Sequence, residues 1–118
     1  MTNNDLLFYR VLFSELSLSD KLEEAREELK DYLEDREYTV KTKVPIRGSK
    51  NKYDLVVTDQ EGTETAILIG RYSVRYKRLA ELKRFKGDSV YLLRGNARIE
   101  HDVIEGVNVI NVMSKGSL

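Results

Sequence analysis

Cysteine is absent from this chain, and histidine occurs once, as His101. The first absence excludes a disulfide framework and any thiolate-held zinc site, and the second excludes a histidine dyad. A metal ion here would have to be held by oxygen. No apolar run approaches the ~20 residues that a membrane-crossing helix needs, so no membrane partner is expected. The first apolar stretch is preceded by Asn3, Asn4 and Asp5, without the basic flank and small-residue cleavage site of a secretory leader, which points to a cytoplasmic location. Proline is nearly absent as well. With one proline, 41% hydrophobic and 34% charged residues, the composition is that of a folded chain rather than a disordered one. Its 118 residues suit a single domain over 1–118, large enough to bury its own core.

Net charge is lacking too. Lys and Arg number 20, as do Asp and Glu, so no global field draws the protein towards nucleic acid. The distribution is uneven, however. Ser19 to Glu37 holds nine acidic residues against four basic ones, and Arg71 to Lys86 holds seven basic residues against Glu81 alone.

Periodicity sets out the elements. Asn4 to Leu16 carries Leu6, Leu7, Phe8, Tyr9, Val11, Leu12, Phe13 and Leu16, too many apolar residues for one stripe of a surface helix. Packing into the chain's own core is expected, and a homodimer through the same helix of a second copy is the alternative. Residues 17–20 read as a break, and Asp20 with Glu23 as a capping box. In the helix that follows, Leu22, Ala25, Leu29, Tyr32 and Leu33 recur at helical spacing. From Tyr38 the period becomes two, with Tyr38, Val40 and Val44 alternating against Thr39, Lys41 and Lys43, and Pro45 ends this strand or marks it as an edge. After a polar loop, Tyr53–Thr58 and Thr63–Gly70 form a strand pair around the turn Asp59–Gly62. The second of them, apolar on both faces over Ala66–Ile69, belongs inside the sheet. Ser73 is placed to cap a third helix reaching about Phe85, with Tyr76, Leu79, Leu82 and Phe85 as its stripe. Ser89–Leu93 is a strand, Gly95 and Asn96 turn the chain, Val107–Val112 is a last strand, and Met113–Leu118 a frayed tail.

Asp54 opens the run YDLVV. A core order of helix, three consecutive strands, helix and strand, with an acid opening the second strand, resembles the PD-(D/E)XK superfamily. This is the restriction-endonuclease-like fold shared by Holliday-junction resolvases and many repair nucleases. The resemblance covers residues 20–112, with 1–17 as an accessory helix. It implies an α/β fold with a mixed central sheet and an αβββαβ core, plus an extra N-terminal helix and an extra C-terminal strand. It makes Asp54 the first catalytic acid, with Tyr53 in the place of the family's variable proline. The (D/E)XK triplet falls on Leu68, Ile69 and Gly70, so its acid and lysine are both missing. The family often adds a glutamate from its first core helix, for which Glu24 and Glu28 are nearest. Asp54 with Glu28 are then the candidate ligands of a magnesium ion, should the domain be active. Glu81 and Lys77, in the helix after the third strand, are the candidate replacements for the missing acid and lysine, and Glu64 is a poorer one. Otherwise no cofactor is expected. The bland alternative is a strand-end aspartate bonded to nearby backbone or to Lys52.

Basic residues supply the other candidate. Arg71, Arg75, Lys77 and Arg78 come early in the third helix, with Tyr72 and Tyr76 interleaved. Arg71, Arg75 and Arg78 share one helical face if the first turn reaches that far back, and could track a phosphate backbone. With Lys83 and Lys43 they form the expected nucleic-acid contact set. The alternatives are a solvated face, or pairing with the acidic second helix. His101 reads as a surface residue near a turn. The expected function is that of a catalytically inactive, nuclease-like domain acting in nucleic-acid binding. A dimerisation module built on the first helix is the second reading, and a magnesium-dependent nuclease the third.

Overall fold

At Tyr38 the chain exchanges helical for two-residue periodicity, and there it enters its sheet. The computed structural model describes residues 3–71, 73–94 and 102–115. In chain order these form α1 (Asn3–Leu12), β1 (Ser17–Leu18), α2 (Leu22–Glu34), β2 (Thr39–Pro45), β3 (Lys52–Thr58), β4 (Glu64–Gly70), α3 (Tyr76–Lys83), β5 (Asp88–Arg94), β6 (Asp102–Ile104) and β7 (Val107–Ser114). The fold is α/β.

The strands make one mixed sheet in the order β1-β7-β5-β4-β3-β2, with β6 also beside β7. The meander β2-β3-β4 is antiparallel, the pairs β4–β5, β5–β7 and β7–β1 are parallel, and β6 is antiparallel to β7. The turn between β3 and β4 is fixed locally. Asp59 Oδ1 accepts the N–H groups of Glu61 and Thr63 at 2.9 Å each, and Gly62 takes the φ of 88° that side chains disfavour.

Strand alternation divides the core. Leu55, Val57, Ile67, Ile69, Val90, Leu92, Ile110 and Val112 pack with Tyr9 of α1, Phe13 just after it, and Ala25, Leu29 and Leu33 of α2. Val56, Ala66, Leu68, Tyr91, Leu93 and Val109 pack with Leu79 and Leu82 of α3. Because both faces are covered, β4 and β5 are apolar on both faces over 66–69 and 90–93. The first helix joins its own core through one stripe, since Tyr9 and Phe13 are buried and the Tyr9 hydroxyl bonds Thr65 at 2.8 Å and Asp88 at 3.0 Å. Its opposite stripe stays exposed, with Leu7 58%, Phe8 51% and Val11 66% accessible.

Several boundaries differ from the sequence expectation. Residues 17–20 contain β1, which pairs with the end of β7, Ser17 opposite Met113 and Leu18 opposite Ser114. The Lys115 N–H donates to Leu18 O at 2.8 Å, so the supposed tail is ordered sheet through Ser114. Residues 116–118 lie outside the described residues. The Asp20 capping box does not form. Lys21 is the N-cap of α2 and makes no side-chain cap bond, because Glu23 turns instead to Arg26 and Lys43. Ser73 does not cap α3, which begins at Tyr76 with Arg75 as an N-cap that makes no side-chain bond. The short strand β6 was not anticipated. It joins β7 through the two-residue loop Glu105–Gly106, whose φ angles of 50° and 85° suit the right-handed twist of a hairpin. The expected turn at Gly95 and Asn96, the interleaved Tyr72, and His101 all lie outside the described residues.

Candidate functional site

Asp54 sits where β3 parts from β4. The two strands pair from Thr58 opposite Glu64 as far as Leu55 opposite Ile67. One residue further on, the Asp54 side chain takes over. Its Oδ2 accepts the Ile69 N–H at 2.8 Å, and its Oδ1 accepts Arg26 Nη2 at 2.8 Å and Nε at 3.3 Å. Arg26 reaches the sheet from α2 and pairs through Nη1 with Glu23 at 3.0 Å. Both members of the Arg26–Asp54 pair have side chains only 8% exposed. Burial favours the uncharged guanidinium, but its bonds to Asp54 and Glu23 outweigh that and hold the Arg26 pKa above its ordinary value. The Arg26 hydrogen bond in turn holds the Glu23 carboxyl below the usual glutamate range, with help from Lys43. Asp54 is therefore a buried ion-pair member and not a solvated strand end. Its partners are Arg26 and the Ile69 backbone rather than Lys52.

Beside this pair the edge strand is bent. Thr42 opposes Leu55 and Val44 opposes Tyr53, while Lys43 between them adopts φ 53°, a left-handed conformation costing roughly 1–2 kcal/mol for a residue with a side chain. Such strain persists only where the surroundings hold it, and here the Lys43 ammonium meets Glu23 at 3.6 Å.

The fork opens into a cleft of about 510 Å³, lined by Leu22, Asp54, Ile69, Gly70, Arg71, Ser73, Arg75, Arg78, Tyr91 and Arg94. It lies at the carboxyl ends of β4 and β5, the usual place for ligands in sheets of this class. Gly70 is required at its floor by close approach, because a Cβ there would come within 2.6 Å of the Tyr91 ring and 2.9 Å of Leu93. Each arginine is positioned differently. Arg94, buried at the end of β5, donates to Gly70 O at 3.1 Å and to Asp20 O at 3.0 Å. Arg71 stands 3.7 Å from the Asp20 carboxylate. Arg78 donates to Glu81 Oε1 at 2.5 Å and to Lys52 O at 3.0 Å. Arg75 donates its backbone N–H to the Tyr91 hydroxyl at 3.3 Å and leaves its side chain exposed.

Glu81 is the hub behind Arg78. Its buried carboxylate also accepts Ser49 Oγ at 2.6 Å and Asn51 Nδ2 at 3.0 Å, while the Tyr53 hydroxyl donates to its backbone oxygen at 2.6 Å. Burial pushes its pKa up, but the bonds from Ser49, Asn51 and Arg78 prevail and bring it below the ordinary glutamate value.

The structure thus brings Asp54, Arg71, Arg75 and Arg78 to one cleft. Arg71, Arg75 and Arg78 do not share a helical face, since α3 starts at Tyr76; they converge from a loop and a helix start. Lys83 pairs with Glu105 at 3.1 Å, Lys77 is exposed on α3, and Lys43 pairs with Glu23; none of the three lines the cleft. Glu28 is engaged elsewhere, accepting the Ser19 N–H just after β1 at 2.6 Å and pairing with Lys115. Burial opposes its charge, but those bonds hold its pKa below the usual range. Asp54 and Glu28 therefore answer to different partners, and among the described residues no group of three or more Asp, Glu, His or Cys is disposed to hold a metal ion. The positions of the missing triplet are filled by packing, with Leu68 in the α3-side core and Gly70 against Tyr91.

Sequence reasoning missed Arg94 and Arg26. Arg94 had a visible signal, a basic residue closing the apolar run VYLL. Arg26 stood among acids on a charged helix and had none. No protein-family model matches the sequence, and no curated protein matches it.

Proposed function

We propose that this chain is a nuclease-like domain that binds nucleic acid without cutting it. One observation carries the reading: four arginines, from just beyond β4, the start of α3 and the end of β5, converge on a cleft where Asp54, the one carboxylate among the described lining residues, is already paired with Arg26. A cluster of this kind suits phosphate oxygens, which guanidinium groups recognise bidentately. The order α2, β2-β3-β4, α3, β5, with Asp54 near the start of the middle strand of the meander, supports a scaffold resembling the restriction-endonuclease-like core. The apolar packing at Leu68 and Gly70 supports loss of the metal chemistry. Were the domain an active magnesium enzyme, the ion would have to displace Arg26 from Asp54.

Binding of labelled oligonucleotides across a salt series tests this reading. Affinity should fall steeply with salt, as counterion release requires, and should collapse in the double variant Arg75→Glu/Arg78→Glu. Salt-independent binding, or full affinity in that variant, would overturn it. Cleavage that needs magnesium and disappears with Asp54→Ala would instead establish the enzyme.

A specific observation favours a second reading, a homodimer. Leu7 and Val11, one helical turn apart, and Phe8 stay exposed on α1. Light scattering on the unaltered protein and on Phe8→Glu decides it: a dimer that the substitution dissociates supports the module, and a monomer removes it.

A further inference from the structure

A duplex offers its phosphates as a long regular row, about one charge per 1.7 Å of axis, which an extended row of cations would match. The cleft is not built that way. Its arginines surround a concavity: Arg71 just beyond β4, Arg75 and Arg78 at the start of α3, and Arg94 at the end of β5, with Ile69 and Gly70 forming the floor. Its volume of about 510 Å³ falls within the range that encloses a small ligand.

Charge points the same way. Arg71 faces Asp20, Arg78 faces Glu81 and Asp54 faces Arg26. Arg75 has no carboxylate within ion-pair distance among the described residues, and its backbone N–H bond to Tyr91 fixes where its side chain begins. Beside these groups, the Ser73 hydroxyl and the part-exposed Leu22 offer a polar contact and an apolar wall. A phosphodiester carries one negative charge, whereas a phosphate monoester carries about −1.5 to −2 at neutral pH and three acceptor oxygens. Guanidinium groups converging from several sides, one of them with no carboxylate partner among the described residues, supply donors for all three terminal oxygens of a monoester, one more than a diester presents.

We infer that the cleft takes the phosphate monoester of a nucleotide, presented at the end of a nucleic-acid strand. The inference rests on the nucleic-acid reading and deepens it from phosphate backbone to strand terminus.

The test uses the whole chain and fluorescence anisotropy with short single-stranded oligonucleotides of one sequence, labelled internally. These bear a 5′-phosphate, a 3′-phosphate or hydroxyl groups at both ends, and a circular strand of the same sequence is added. A nucleoside 5′-monophosphate serves as competitor. One phosphorylated end should bind at least about tenfold more tightly than the hydroxyl-ended strand, the gain of a charge-assisted hydrogen bond. The circle should behave like the hydroxyl-ended strand, and the free monophosphate should compete. Arg75→Glu should erase the preference, whereas Lys86→Glu, an equal charge change at an exposed site outside the cleft, should preserve it. Equal affinity for all four strands would overturn the inference and leave nucleic-acid binding standing. Binding of the free monophosphate without binding of any strand would overturn the strand-end source and the nucleic-acid reading, and make a free nucleotide the ligand. No binding of either would overturn both.

Discussion

Arg26 and Asp54 show how one pair of residues can decide between two chemistries. An aspartate at the mouth of a strand pair is a metal ligand when it faces solvent and other acids, and a structural anion when a guanidinium reaches it first. Here Arg26 supplies two donors and Ile69 a third, so the carboxylate is satisfied before any ion arrives. Removing one partner strands a buried charge. Asp54→Ala should therefore cost about 3–5 kcal/mol, as for other broken buried pairs, read as a shift of the urea midpoint at constant slope. Replacing both partners with apolar groups, as in Arg26→Met/Asp54→Leu, should recover much of that loss, and a double variant no more stable than the single would show that the pair is not acting as a unit. Gly70→Ala should also destabilise, by about 1–3 kcal/mol, since the added methyl enters packed ring atoms. Thermal melts would reveal it, and an unchanged midpoint would mean that Tyr91 moves aside freely.

The elements carry their own tests. α3 is anchored through Glu81, which ties Arg78 to Ser49 and Asn51 in the loop ahead of β3. The folded pKa values of Glu81 and Glu28 are depressed. Their contribution to stability is complete above the unfolded glutamate value of about 4.3 and is lost as pH falls through the lower folded values. Melting temperature should hold from neutrality to about pH 5 and decline below that value, and Glu81→Gln should be less stable at neutrality with a flatter acid limb; parallel limbs would exclude this linkage. Element type was legible wherever burial on both faces or on one stripe wrote a clear period, as in Ala66–Ile69 and in Leu29 and Leu33. Starts and ends were less legible. The caps differ from the sequence expectation because Glu23 pairs with Arg26 one turn on and with Lys43 of β2, and the Arg75 N–H goes to Tyr91, in place of the caps that Asp20 and Ser73 could have supplied. The strand β6 was hidden in Asp102–Ile104, where burial is slight and only Glu105–Gly106 marks the hairpin.

At the scale of the molecule, the convergence of Arg71, Arg75, Arg78 and Arg94 could not be read from their spacing, because it depends on β4 and β5 lying side by side with their carboxyl ends level. Sequence exposed the basic segment; only the sheet order turned it into a cleft. The order of the sheet also bears on how the protein comes into being. β7, the last strand in the chain, lies between β5 on one edge and β1 and β6 on the other, so one of the earliest strands waits for the latest. Until β7 arrives, β5 presents an apolar, hydrogen-bond-hungry margin of the kind that recruits other chains, and closing so long a loop is slow. A nascent chain paused after Arg94 should thus be captured by holdase chaperones and sensitive to protease, and should become resistant once Val107–Ser114 has emerged from the ribosome.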